Sequence, residues 1–229
     1  MSAFSTTVAV EPMIRQGCTA LESDVPNPEW YGETYLHHAA TVGDADVVAR
    51  QLASGADANA KDRFDQTPLH RAANASVVRE LVRGGSKIEA TDSNGFTPVW
   101  VAIRDGREET AHALIDSGAS VDVRDASGRT LLHLAVERGV MSIIERLAEQ
   151  RKLVEAVDKD KNTALHLLAS GTLEGGRALV ISALLIASGC NRTARDSRGM
   201  TAQEIARERN KHSLARELGI TEPRGMLRR

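Results

Sequence analysis

Thr67-Pro68-Leu69-His70-Arg71-Ala72-Ala73 has close counterparts along the whole chain. Thr34-Tyr35-Leu36-His37-His38-Ala39-Ala40 precedes it, and Thr97-Pro98-Val99-Trp100-Val101-Ala102-Ile103 follows. Next come Thr130-Leu131-Leu132-His133-Leu134-Ala135-Val136 and Thr163-Ala164-Leu165-His166-Leu167-Leu168-Ala169. A polar version, Thr201-Ala202-Gln203-Glu204-Ile205-Ala206-Arg207, comes last. The leading threonines lie 33, 30, 33, 33 and 38 residues apart. A period of this size marks a repeat array, in which no unit buries its apolar face alone and each stacks on its neighbours.

Every unit carries the same parts. The Thr, with Pro after it in two cases, starts a short helix: a hydroxyl caps orphan N–H groups, and Pro suits the first turn. A second apolar segment follows, such as Val47-Val48 with Leu52, or Val77-Val78 with Leu81-Val82. Gly55, Gly85, Gly118 and Gly189 then stop it, where a left-handed cap is cheapest for glycine. Asp62, Asp92, Asp125, Asp158 and Asp196 each open a turn toward the next Thr, with Gly95, Gly128 and Gly199 at its permissive position.

These residues resemble the ankyrin-repeat family: the 33-residue period, the Gly-x-Thr-Pro-Leu-His-x-Ala-Ala run, and the late Gly55-Ala56-Asp57. The resemblance covers roughly residues 29–218. It implies an all-α solenoid of about six stacked helix–turn–helix units with β-hairpin-like fingers. It further implies that fingers and first helices line a concave binding side. The expected domain spans 29–220, with units at about 29–61, 62–91, 92–124, 125–157 and 158–195 and a C-terminal cap at 196–220. Residues 1–28 read as an N-terminal extension in which Ile14, Cys18 and Leu21 have the spacing of a degenerate capping helix. Residues 221–229 read as a disordered tail.

Departures from the pattern are specific. The second unit lacks three residues between its helices, near Asn74-Ala75-Ser76, and the fifth has five extra, near Gly171 to Gly176. Arg151 stands for the stopping glycine of unit four, and Lys161 for the turn glycine of unit five. Gln203, Glu204, Arg207, Glu208 and Arg209 put charge where inner units are apolar, as a terminal repeat facing water requires.

Composition narrows function. Hydrophobic residues make up 41% and aromatics only 3%, which suits thin layers of small helices rather than one deep core. A formal net charge of −2 gives no general attraction to nucleic acid or anionic membrane. Cys18 and Cys190 have no metal-ligand spacing and fit a reducing compartment, so the expected location is cytoplasmic. The start of the chain has no basic region followed by an apolar run, and no secretory signal is expected. Ala178 to Ala187 is about half a membrane span and reads as a buried helix.

His37, His70, His133 and His166 recur at the repeat period. Equivalent positions on stacked helices lie roughly 8–10 Å apart, whereas ligands of one zinc sit about 2 Å from the same ion. The expected role is therefore a hydrogen bond to backbone in the neighbouring finger, as the resemblance also implies. No Gly-x-Ser-x-Gly elbow, phosphate loop or His-Glu-x-x-His run occurs, so no catalytic residue, metal or cofactor is expected.

The remaining candidate is a protein-binding surface. Read across the fingers and first helices it comprises Trp30, Tyr31, Arg63, Phe64, Gln66, Asn94, Phe96, Trp100, Arg104, Arg124, Arg129 and Arg138. Aromatics flanked by arginine are the usual composition of binding hot spots. Phe64 and Phe96 either meet a partner or fold over the adjacent hairpin. Trp100, standing where neighbours have His, either fills space between units or reaches into the groove. The expected function is a monomeric protein-interaction module: an adaptor, scaffold or inhibitor. The alternatives are a dedicated inhibitor or regulatory subunit of one enzyme, and a secreted effector acting in a host cell.

Overall fold

A computed structural model describes residues 32–219. Trp30, Tyr31, the extension at 1–28 and the tail at 221–229 lie outside the described residues.

The described chain forms helices α1 (Tyr35–Val42), α2 (Ala45–Ala53), α3 (Pro68–Arg71), α4 (Ala75–Arg83), α5 (Pro98–Arg104), α6 (Glu108–Asp116) and α7 (Leu131–Arg138). These are followed by α8 (Met141–Ala148), α9 (Arg151–Val154), α10 (Ala164–Ser170), α11 (Gly175–Ala187), α12 (Ala202–Glu208) and α13 (His212–Gly219). Leaving aside the extra turn α9, they pair as six helix–turn–helix repeats. No strand forms among the described residues; the fingers are held by turns, with one isolated bridge between Arg124 and Thr130. The chain divides into two compact halves, one running to Pro98 and one starting at Val99.

In the N-terminal half, α1 packs on α2 and α3, and α2 packs on α4. The caps explain where the helices begin. Thr34 and Thr67 hold extended backbone before α1 and α3, and Pro68 takes the first turn. The three missing residues of the second repeat shorten its first helix to one turn, because Ala72 leaves helical space at φ −50°, ψ 121°. Ala73 N–H then donates to the Ala40 carbonyl at 3.0 Å. Asn74 bridges the shortened junction: its Oδ1 accepts from Val77 N–H at 3.0 Å and its Nδ2 donates to the Gly43 carbonyl at 2.9 Å. Gly43, at φ +89°, is needed twice over, since a Cβ there would sit 2.8 Å from Asn74 Nδ2.

In the C-terminal half, α7 packs on α8 and α10, and α10 on α11 and α12. Leu131, Leu132, Ile143, Ile144, Leu147 and Leu165 are fully buried between these layers. The fourth repeat corrects one expectation. Arg151 does not replace a left-handed glycine; it opens the extra turn α9, after Gln150 in extended conformation. Leu153 and Val154 explain the turn, because winding the backbone there buries both side chains. Arg151 itself lies on the outside, paired with Glu155 at 2.6 Å.

Lys161 does occupy left-handed space, at φ 61°, as does Asp65 at the same turn position of the second repeat, at φ 57°. A lysine Cβ in this region is strained, while Asp tolerates it better. Lys161→Gly should therefore raise stability by up to about 1 kcal/mol, less whatever the freer unfolded chain takes back. Asp65→Gly should gain less, and urea denaturation of the two variants checks the order.

The five extra residues of the fifth repeat lengthen α11 and leave a loop at 171–174. Lys211, which the sequence did not single out, ties this loop to the last repeat. Its Nζ donates to the carbonyls of Leu168 (3.2 Å), Gly171 (2.6 Å) and Leu173 (2.9 Å), the first two from α10 and its C-terminal cap. Burial lowers the ammonium's pKa. The apolar run in α11 is only half a buried helix: Ala178, Ile181, Ser182 and Leu185 are buried, whereas Val180 stays 55% exposed. In the sixth repeat, Arg207, Glu208 and Arg209 are exposed while Ile205, Ala206, Leu214 and Leu218 are buried, the division a terminal layer needs.

Candidate functional site

Each finger is built on one aspartate. Asp62 N–H donates to the Gln66 carbonyl at 2.9 Å, and Asp62 Oδ1 accepts from Phe64 N–H (2.8 Å) and Gln66 N–H (2.9 Å). Asp92 does the same for Asn94 and Phe96, Asp125 for Ser127 and Arg129, Asp158 for Asp160 and Asn162, and Asp196 for Arg198 and Met200. One carboxylate oxygen thus satisfies two backbone donors and closes the turn. Adjacent fingers are joined through backbone: Ser93 N–H donates to the Phe64 carbonyl at 2.9 Å, and Lys159 N–H to the Ser127 carbonyl at 2.9 Å.

The histidines hold fingers to helices. Thr34 N–H donates to His37 Nδ1 at 3.1 Å, which leaves the proton on Nε2, and Nε2 donates to the Gln66 carbonyl at 2.9 Å. The same pair of bonds runs from Thr67 through His70 to Phe96, from Thr130 through His133 to Asn162, and from Thr163 through His166 to Met200. Burial lowers the pKa of His37, and takes that of His133 down to about 4. In the last repeat Glu204 takes the imidazole's place and accepts from Thr201 N–H at 2.7 Å. No cluster of three or more His, Cys, Asp or Glu suited to a metal ion occurs among the described residues, and none of their helices is long and apolar enough to cross a membrane.

The structure sorts the predicted surface residues. In the N-terminal half Phe64 is 43% exposed at the tip of its finger, with the Arg63 guanidinium 4.5 Å from its ring centroid. That places Phe64 on the outside. Asn94 is exposed, Phe96 half-buried, and Gln66 half-buried with its carbonyl engaged by His37.

In the C-terminal half Trp100 is only 2% exposed, so the indole fills core volume and does not reach a surface. Three of the arginines read as candidates also make bonds within the chain. Arg104 pairs with Asp105 at 2.9 Å, and Arg129 pairs with Asp125 at 2.7 Å and Glu137 at 2.9 Å. Arg124 donates to the carbonyls of Gly128 (2.7 Å) and Val157 (2.9 Å). Arg138 is exposed, with no ion pair among the described residues. Two positions missed by sequence reasoning are Asp92 and Thr97, whose Oδ2 and Oγ1 atoms are buried without a hydrogen-bond partner. For Thr97 the signal was available at position 100: an indole offers no acceptor lone pair where four other repeats have an imidazole.

Repeating helix pairs, aspartate-closed fingers and a histidine ladder define a class of protein, and the comparisons agree. The family profile for ankyrin repeats, in three copies, matches residues 36–125 and again 114–196. The chain belongs to the ankyrin-repeat family. Among curated proteins it is 37% identical over 89 residues to alpha-latrotoxin-Lg1a of Latrodectus geometricus, which is 37% of this chain and 6% of that one. It is 42% identical over 77 residues to the Neurogenic locus Notch protein of Drosophila melanogaster, 32% of this chain and 3% of that one. The chain therefore spans a small fraction of these relatives' lengths. Solved structures match over far more. One is a chain in the complex of the predatory endopeptidase Bd0816 from Bdellovibrio bacteriovorus with immunity protein Bd3460: TM-score 0.71, 27% identity, 81% of this chain and 97% of that chain. Another is the ankyrin repeat domain of Bcl-3, a member of the IkappaB family: TM-score 0.69, 27% identity, 85% and 86%. Ankyrin repeats are protein–protein interaction modules.

Proposed function

We propose that this chain is a non-catalytic binding module that engages a partner protein through its second and third fingers, around Arg63, Phe64, Asn94 and Phe96. The observation carrying this reading is Phe64, an exposed ring with a guanidinium stacked on it, in a chain with only seven aromatic residues. The ring has no role in closing its own turn, which the Asp62 carboxylate closes through backbone N–H groups. The module acts as a cytoplasmic monomer, without a cofactor and without binding nucleic acid or membrane, in keeping with its near-balanced charge.

Within this reading a dedicated inhibitor is favoured over a general adaptor. What supports this is that the chain covers 97% of a chain found in a complex of an endopeptidase with an immunity protein. Affinity purification from the native source, with calorimetry on the recovered partner, tests the proposal. Phe64→Ala and Phe96→Ala should each weaken binding by about 1–2 kcal/mol or more. Arg79→Ala and Arg83→Ala, on the exposed side of α4, should leave it unchanged. Losses at Arg79 and Arg83 with none at the rings would place the interface on the second helices.

A further inference from the structure

The five finger aspartates differ in one respect. Oδ1 closes the turn in each, but Oδ2 needs a separate donor, and four fingers supply one from within the chain. Asp62 Oδ2 accepts from Arg71 at 2.9 Å, Asp125 Oδ2 from Arg129 at 2.7 Å, Asp158 Oδ2 from Asn162 at 3.0 Å, and Asp196 Oδ2 from Arg198 at 2.9 Å. Asp92 Oδ2 accepts from nothing, although the residue is only 6% exposed. The repeat explains why. The place of Arg71, four residues after the Thr, is held by Val101; that of Arg129 and Asn162 by Phe96; and that of Arg198 by Asn94. A buried carboxylate oxygen without a donor is among the costliest groups a fold retains.

We propose that Asp92 is the receptor for an arginine side chain of the bound protein, which supplies from outside the guanidinium that the other fingers carry themselves. The inference rests on the reading that a protein docks on the second and third fingers. Three of the four internal donors are guanidinium groups, and Arg71, Arg129 and Arg198 each keep 28% to 60% of their side chain exposed. In those three fingers the carboxylate is met by an arginine that itself lies partly on the surface; at Asp92, whose Oδ2 has no exposed surface, an incoming guanidinium must first displace what covers it. At Asp92 the neighbouring residue is Phe96, and the finger beside it carries Phe64 under Arg63, joined to this one by the Ser93–Phe64 bond. A planar guanidinium stacks on an aromatic face while its N–H fork meets a carboxylate, a pairing that lysine's point charge does not reproduce.

The test is a nitrogen-15 NMR titration of the full chain with N-acetyl-arginine amide, set against N-acetyl-citrulline amide, its neutral analogue. The arginine compound should shift the Asn94 and Phe96 amides, which donate to Asp92 Oδ1, in a saturable way. The citrulline compound should not, and the Ser127 and Arg129 amides, whose aspartate already has its donor, should stay in place. Asp92→Asn keeps an Oδ1 acceptor for the turn and should weaken the response at least tenfold. Phe96→Arg supplies an internal donor as Arg129 does; it should abolish the response and raise Tm. An equal response in Asp92→Asn, an equal response at the Asp125 finger, or no saturable shift would overturn the proposal. If partner binding is lost in Phe64→Ala but untouched in Asp92→Asn, the finger surface stands and the arginine receptor falls. If a partner is found and neither variant affects it, the finger surface itself is wrong.

Discussion

Acidifying this protein from about pH 7 to about pH 4.5 should remove roughly 2–3 kcal/mol of stability through His133 alone. The buried imidazole must stay neutral, because Nδ1 accepts from Thr130 N–H while Nε2–H donates to the Asn162 carbonyl. Its pKa in the fold is about 4, below the ordinary 6.5 it regains on unfolding. Above pH 6.5 neither state takes up a proton and stability is full. As pH falls from 6.5 toward 4 the unfolded chain binds a proton that the folded chain refuses, and stability drops. His37, lowered by burial in the same way, adds to the loss. Urea denaturation across this range measures the slope. His133→Gln keeps an acceptor and a donor but cannot titrate; it should be weaker at neutral pH and show a shallower slope. An unchanged slope in that variant would mean that other groups carry the acid sensitivity.

Deleting residues 201–229 should make the chain self-associate. The lost helices α12 and α13 pack on α10 and α11, and bury Ala202, Ile205, Ala206, Leu214, Ala215 and Leu218. Their removal uncovers apolar surface of the fifth repeat, including Leu165 and Leu168, at about 1.5–3 kcal/mol for each large side chain returned to water. The same deletion strips Lys211 from three carbonyls. A second copy of the truncated chain is the nearest apolar cover. Light scattering should show concentration-dependent association; a monodisperse monomer would mean that the sixth repeat does not act as a cap.

Much of this was legible in the sequence because repetition turns each residue into a comparison. The threonine spacing revealed the helix starts, and four histidines at one period had to serve stacking. The turn glycines marked left-handed backbone, with Lys161 keeping the conformation after losing the glycine. Arg151 was misplaced because alignment to the stopping glycine was weighed alone, while the apolar pair Leu153-Val154 decided the backbone. The arginines' bonds within the chain were not legible, because a guanidinium finds partners that composition does not show. Arg124 bonds the carbonyl of Val157, one period away, and Arg129 reaches Glu137 on α7. Trp100 followed its place in the pattern: the position is buried in the four repeats that carry histidine there, and it is buried here too. Asp92 was visible only as the start of a turn, since a missing donor shows itself once the other four are seen in place.

The central claim is that a protein docks on the finger surface that carries Phe64. Its most direct measurement is site-specific photocrosslinking in the native source, with p-benzoylphenylalanine placed at Phe64, Asn94, Arg79 or Arg83 in separate experiments. All four positions accept a bulky ring without disturbing packing, because all are exposed. The account predicts one discrete adduct, with the same protein, from positions 64 and 94, and none from 79 or 83. An adduct formed only from Arg79 or Arg83, or no adduct from any of the four, would contradict it.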